Sequence, residues 1–443
     1  MLKFLRDLKT STWLASVVLV AAAERILLYV FYRPVAYNDT ATYRRLAAQV
    51  AQGWDHFEAS RMPGYPFLLA RLGPDEHVYL VQLALGFLTT LLFFYIGWRV
   101  SGKGWFGGLA ALAHTLNLQQ LLIEADLLTE PVTTFFMVLA LAGIAWLLFS
   151  EGKRSLWQVL LAGLWIGSSA GLAILMRANY IFLPFWAAFL VILGWQVRPP
   201  YRWTAGVAVG LVGLAVLGVW VNYVHQDYHM WSLSTVDGYH LMNHSGVFFE
   251  YVPDQYAALR DTFLQYRAAQ IAQTGSSGNT IWNAIPALEK VSGMGFFDLS
   301  RLLEKISIQL ILKHPGLYLR DVFLGWEAFW KAPVHWAVSP GDTSLLGRLR
   351  PGIILLDRGI LILANLFFIL GTVLLVLKKV RRSLKMDLFW WFILSVIWLT
   401  SVIQALLEYG DNPRYSVSVQ SWIVLIVLWW TTQIWNSAIR KKV

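Results

Sequence analysis

Residues 124–149 read EADLLTEPVTTFFMVLALAGIAWLLF. The second part, Pro131–Phe149, is an uncharged apolar run as long as a helix must be to cross the hydrocarbon core of a bilayer, roughly 17–25 residues. The first part sets three carboxylates, Glu124, Asp126 and Glu130, at the threshold of that run. Comparable runs occur at Thr12–Phe31, Val78–Trp98, Trp105–Ile123, Leu156–Met176, Tyr180–Trp195, Trp203–Val221, Gly359–Leu377, Leu388–Leu407 and Tyr415–Trp435. Inside a membrane such segments must satisfy their backbone hydrogen bonds internally, so the expectation is about ten helical spans. Composition agrees: 57% of the 443 residues are hydrophobic and 14% charged, against roughly 25% charged in a soluble domain. The fold class expected is an all-α polytopic membrane protein.

With no cysteine, disulfides, thiolate nucleophiles and cysteine zinc sites are excluded. The net charge of +10 does not point to nucleic acid, because of where it falls. Lys3, Arg6 and Lys9, then Arg99 and Lys103, Lys153 and Arg154, Arg198 and Arg202, Lys378 to Lys385, and Arg440 to Lys442 occupy the termini and alternate short loops. The opposite short loops carry only Arg177 and Arg414. This positive-inside pattern predicts both termini in the cytoplasm, with the long loops outside. The basic start, apolar run and Ala21-Ala22-Ala23 also suit a cleaved signal peptide, but the run resumes at Ile26 and totals a full span. The Glu24-Arg25 pair inside it is expected to pair with neighbouring helices.

The chain divides into an N-terminal transmembrane module, 1–221, whose first outer loop spans 33–77; a long outer region, 222–350; and C-terminal transmembrane helices, 351–443. In the first loop Tyr43, Leu46, Ala47 and Val50 fall on one helical face, which predicts an amphipathic surface helix over 40–52. A second short helix is expected near Pro63-Gly64-Tyr65-Pro66. Gln255–Gln273 and Gly316–Trp330 are also expected to be helical, with a turn-rich tip at 274–279.

Three outer stretches carry acids: Tyr37-Asn38-Asp39-Thr40-Ala41-Thr42-Tyr43, the 124–130 segment, and Glu408-Tyr409-Gly410-Asp411-Asn412-Pro413-Arg414-Tyr415. Arg61 and Arg177 lie on the same predicted side. In order, Asp39 with Tyr43, Pro63-Gly64-Tyr65-Pro66-Phe67-Leu68-Leu69-Ala70, Thr129-Glu130, Arg177, His314-Pro315-Gly316-Leu317-Tyr318-Leu319 and Arg414-Tyr415 resemble the GT-C superfamily of membrane glycosyltransferases. The closer likeness is to the bacterial branch related to protein O-mannosyltransferases and the lipid A aminoarabinose transferase (family 39-like). The likeness spans nearly the whole chain.

The resemblance implies a GT-C fold and an inverting transfer of a sugar from a polyprenyl-phosphate donor to an acceptor (glycan, lipid or protein) outside the membrane. It implies Asp39 as the base, with Asp126 as the second carboxylate. Arg61, Arg177 and Arg414 would hold the donor phosphate, and Tyr43, Tyr65, Glu130, Glu408 and Tyr415 would line the substrate site. No metal site and no cofactor are assigned, and a divalent metal stays open. The adjacent acidic doublet of much of the family is absent, because Asn38 precedes Asp39. Other readings compete. Asp39 fits a helix cap, Asp126 a plain interfacial acid, Glu130 a helix N-terminal acid, and Arg177 and Arg414 lipid-headgroup contacts. The histidine pairs 225/229 and 240/244 read as solvated groups rather than metal ligands. A flippase, or a polymerase or ligase of lipid-linked saccharides, is the alternative function.

Overall fold

The computed structural model describes residues 7–149, 154–194, 199–337 and 344–440, and nearly all secondary structure among them is helical; one isolated bridge joins Val35 to Asp126. Lys3, Arg6, Lys153, Arg198, Lys441 and Lys442 of the charge pattern lie outside the described residues, as does Trp195. Among the described residues eight helices are long and apolar enough to cross a membrane: Thr10–Phe31, Asp75–Ser101, Glu130–Phe149, Leu156–Met176, Tyr201–Tyr228, Gly347–Leu374, Leu388–Leu407 and Asn412–Ala438. The chain is a multi-pass membrane protein.

Two of the ten expected spans are shorter. The run over 105–123 breaks at Leu116, where the helix Gly104–Thr115 ends. The Asn117 side chain then accepts the Gln120 backbone N–H and starts a separate short helix, Leu118–Ile123. Asparagine is a strong helix starter for this reason, and apolar length alone does not reveal it. The run over 180–195 gives a 3-10 turn, Ala178–Tyr180, and the helix Leu183–Leu193. The helices Pro199–Tyr228 and Leu345–Leu374 run into the 222–350 stretch from its two ends.

Close helix approach depends on small residues, as it does where lipid removes the hydrophobic drive between helices. Gly163, Gly167 and Gly171 form one stripe on Leu156–Met176. A Cβ on them would run into Ala205, Val209 and Val216 of the Pro199–Tyr228 helix.

The Glu24-Arg25 pair does reach neighbouring helices. Arg25 Nε and Nη2 donate to Glu124 at 3.0 and 2.5 Å, and Nη1 donates to the Thr115 hydroxyl at 2.5 Å. That hydroxyl in turn donates to Glu24 at 2.5 Å. Gly86 makes room, since a Cβ there would overlap the Glu124 carboxylate. The cluster pins the first long helix to the segment that precedes Asp126.

Outside the long helices, Asp237–Ser245, Ala257–Thr274, Thr280–Ser292 and Phe296–Lys313 share a core that includes Tyr239, Leu288, Leu299, Leu303 and Ile306. The turn-rich tip is realised by left-handed backbone at Gly275 and Asn279. Pro315–Phe329 carries this unit back to the membrane helices, where the Tyr318 hydroxyl donates to Leu406 O at 2.9 Å.

A buried ion pair stripped of one partner costs about 3–5 kcal/mol, whereas replacing both partners by apolar groups is often neutral. Glu124→Ala is therefore expected to lower the melting temperature in detergent sharply. The double variant Arg25→Met/Glu124→Leu should recover most of the loss, as thermal unfolding of the three proteins would measure.

Candidate active site

The loop after the first long helix is pinned by backbone bonds. Val35 N donates to Ala125 O and Leu127 N to Val35 O, both at 2.9 Å, and the Thr40 hydroxyl donates to Leu127 O at 3.0 Å. Thr40, not Asp39, serves the start of the Asn38–Gln52 helix, because its hydroxyl accepts the Tyr37 N–H at 2.9 Å. Asp39 sits in the first turn with its side chain engaged elsewhere, so the cap reading is corrected.

Asp39 accepts from Arg61 Nη2 at 3.3 Å and from Arg414 Nη1 at 2.7 Å. Arg414 reaches on to both oxygens of Glu130, through Nε and, at 3.2 Å, through Nη2. Arg177 joins the same Glu130 at 2.9 Å and lies over the Tyr415 ring, 4.4 Å from its centroid. The result is an alternating chain, Arg61–Asp39–Arg414–Glu130–Arg177, drawn from four separate stretches of sequence. Burial would raise the Asp39 carboxyl pKa, but Arg414 and Arg61 outweigh it and hold it down at about 2.

A cavity of about 1300 Å³ opens over this chain. Asp39, Arg61, Arg177, Arg414, Tyr43, Glu408 and Tyr415 all line it, as do Asn38 and Tyr37. Glu130 is fully buried beneath the wall. Tyr65 is also buried; it packs edge-on against Tyr43 with ring centroids 5.1 Å apart and donates to Gln82 at 2.8 Å. Tyr65 therefore supports the wall rather than forming it. Among the described residues no three His, Asp or Glu side chains gather as a metal site would need. Both Asp39 oxygens are taken by arginines.

The reading of the 225–244 histidines as solvated is corrected for two of them. His240 lies within 3.0 Å of Glu408, and Asn243 donates to the same carboxylate at 2.7 Å. His244 is fully buried. Glu408 would be raised by burial, but His240 and Arg61 bring it below its usual value. Trp282 was invisible to sequence reasoning. It stands on an outer helix within 5.4 Å of the Arg61 guanidinium, and no local signal links residues this far apart.

Asp126 does not line the cavity. It is buried, its polar neighbour is the Tyr37 hydroxyl, and neither carboxylate oxygen has a partner at hydrogen-bond geometry.

No family model matches the chain, and no curated protein matches it. Its structure is similar to that of the archaeal oligosaccharyltransferase AglB from Archaeoglobus fulgidus, in complex with an inhibitory peptide and a dolichol-phosphate. The sequences are 14% identical and the TM-score is 0.49, over 94% of this chain and 50% of that one. It is also similar to ArnT from Cupriavidus metallidurans bound to undecaprenyl phosphate, at 13% identity and a TM-score of 0.42, over 95% of this chain and 78% of that one. The chain thus spans about half the length of the oligosaccharyltransferase.

Burial, and next the charge of Glu130, push the Asp126 carboxyl from 3.8 up to about 8, against the pull of Arg414 and the Tyr37 hydroxyl. A carboxyl whose pKa is raised by folding holds its proton more tightly in the folded state. Its contribution to stability is complete below the unfolded pKa and is lost as the pH rises through the folded one. Between about pH 4 and pH 8 the wild-type melting temperature should therefore fall, and Asp126→Asn should flatten that slope in a pH series of thermal melts.

Proposed function

We propose that the chain is an inverting glycosyltransferase of the GT-C superfamily. It moves a sugar from a polyprenyl-phosphate donor to an acceptor hydroxyl on the outer face of an inner (plasma) membrane. Asp39 carries this assignment: it is a cavity-lining carboxylate at the end of the apolar helices, gripped by Arg61 and Arg414, with Arg177 on the same wall. Lys9, Arg99, Lys103, Arg381 and Arg382 cluster at the helix ends remote from the cavity, which supports a cytoplasmic placement for those ends. The cavity is lined from helix ends and the outer helices, which favours chemistry at one face over passage across the membrane.

In this scheme the acceptor hydroxyl attacks the anomeric carbon while the bond from that carbon to the phosphate oxygen breaks. The bonding pair leaves on the phosphate, and the hydroxyl proton passes to Asp39. The phosphate gains negative charge as it leaves, and preorganised cations lower the barrier. The arginines differ in how free they are for this task. Of the five N–H groups on each guanidinium, Arg414 commits most to Glu130, Asp39 and Asp411, whereas among the described residues Arg61 donates to Ser60 O and Asp39. Arg61 and Arg177 at the ends of the chain are therefore assigned to the phosphate, and Arg414 to holding Asp39 against Glu130.

A carboxylate held at about 2 is ionised but a weak base. The donor corrects this: a phosphate that draws Arg61 away removes one of the two cations holding Asp39 down and adds negative charge nearby. Both effects raise the basicity of Asp39 once the donor has bound. Asp126 lies outside the cavity wall and is assigned to support Tyr37 rather than to touch substrate.

Asp39→Asn keeps the shape of the side chain and removes its basicity. Transfer by the purified variant should fall by about 10²–10⁴, the usual contribution of a general base, with undecaprenyl-phosphate binding retained. Turnover at the wild-type rate would sink the base assignment. Arg61→Ala should instead raise the donor KM.

A further inference from the structure

The alternating charge chain occupies one side of the cavity. The opposite side is built by the outer helices and has a different chemistry: Trp282, His240, Asn279, Gln270, Asp237 and Glu304 all line it. Trp282 is only half-buried. The His240 ring meets it edge-on at 5.3 Å, and the Arg61 guanidinium carbon lies 5.4 Å from its centroid. The indole therefore reaches from the outer helices to the first arginine of the floor. Around it stand amide and carboxylate groups able to accept and donate several hydrogen bonds in different directions. At about 1300 Å³ the cavity exceeds the roughly 300–1,000 Å³ that holds one drug-sized ligand.

We propose that this outer half is a carbohydrate subsite in which a sugar ring packs its C–H face on Trp282 while its hydroxyls bond to the surrounding amides and carboxylates. The electron-rich face of an indole attracts polarised C–H bonds. A polyol has too many hydroxyls to bury against apolar walls alone, so it needs the ring of hydrogen-bonding groups seen here. A lipid tail or an apolar peptide side chain would offer those groups no hydrogen bonds. The proposal rests on the transferase assignment only for which sugars are at hand; the bound ring is either that of the donor or the terminal ring of a glycan acceptor.

The test uses full-length protein in nanodiscs and saturation-transfer NMR with methyl glycosides of glucose, mannose and arabinose. At least one glycoside should take up saturation on one face of its ring. Its affinity should drop about three- to tenfold in Trp282→Ala, as loss of an aromatic contact does, and Trp282→Phe should restore most of it. Should Trp282→Ala fail to fold, Trp282→Leu replaces it and must bind as weakly. No saturation of any glycoside by the wild type, or equal affinity in the Ala or Leu variant, overturns the subsite. Competition separates the two sources. A glycoside displaced by undecaprenyl-phosphate mannose but not by undecaprenyl phosphate occupies the donor sugar's place, and one retained with both occupies the acceptor's. Glycoside binding with no binding of undecaprenyl phosphate would overturn the donor assignment while leaving this subsite standing.

Discussion

The Arg414 guanidinium is the crossing point on which the rest of the site depends. It stands in the turn that leads into the last long helix, and it holds Glu130 at the head of one membrane helix and Asp39 at the head of a surface helix. Arg–carboxylate pairs of this kind combine charge with fixed fork geometry. Glu130 has no solvent exposure, so without Arg414 its charge in a low-dielectric setting would rest on Arg177. Arg414 thereby orders three distant stretches of chain with one side chain. Arg177, stacked on Tyr415 and joined to the same Glu130, extends the order to a fourth.

An alternating chain of charges is stable in the middle and adaptable at its ends. Arg414, engaged on both sides, has few N–H groups left to offer. Arg61 at one end is held by a single carboxylate and a carbonyl, and it leans on Trp282. An anion entering the cavity can therefore take Arg61 without dissolving the core of the network. The second cluster, Glu408 with His240 and Asn243, ties the outer helices to the end of a membrane helix and fixes the opposite wall. Floor and roof meet at Tyr415, whose ring carries Arg177 and whose hydroxyl donates to Glu408 at 3.3 Å.

Much of this was legible in the sequence because length and charge act locally. Eight long spans, the surface helix over 38–52 and the Glu24-Arg25 pair with its neighbours follow from hydropathy, period and the cost of buried charge. Asp39, Arg61, Arg177 and Arg414 stood out because charges are scarce here, those four fall on one predicted side of the membrane, and the resemblance matches them to a site. The Asn117 break escaped because a cap inside an apolar run leaves hydropathy unchanged. The place of Asp126 escaped because an acid in a short loop reads as exposed, whereas the Val35 bridge turns it inward, away from the cavity. Trp282 escaped, and His240 was read as solvated, because the contacts that define them are between residues far apart in sequence.

The uncharged residue at position 38 now has a physical reason. Asp39, Glu130, Glu408 and Asp411 are set against Arg61, Arg177 and Arg414, and Asp237 and Glu304 line the same cavity, so acids outnumber arginines there. Burial, the leading influence, raises the Asp411 carboxyl, and Glu130, Asp39 and Glu408 add to it against the pull of Arg414. Asn38 lines the cavity next to Asp39. A second carboxylate at that position would add a charge with no arginine left to meet it, since Arg414 is already engaged by three acids and Arg61 is needed at the open end. With an uncharged amide at position 38, Asp39 meets Arg61 and Arg414 without a second carboxylate beside it to compete for them.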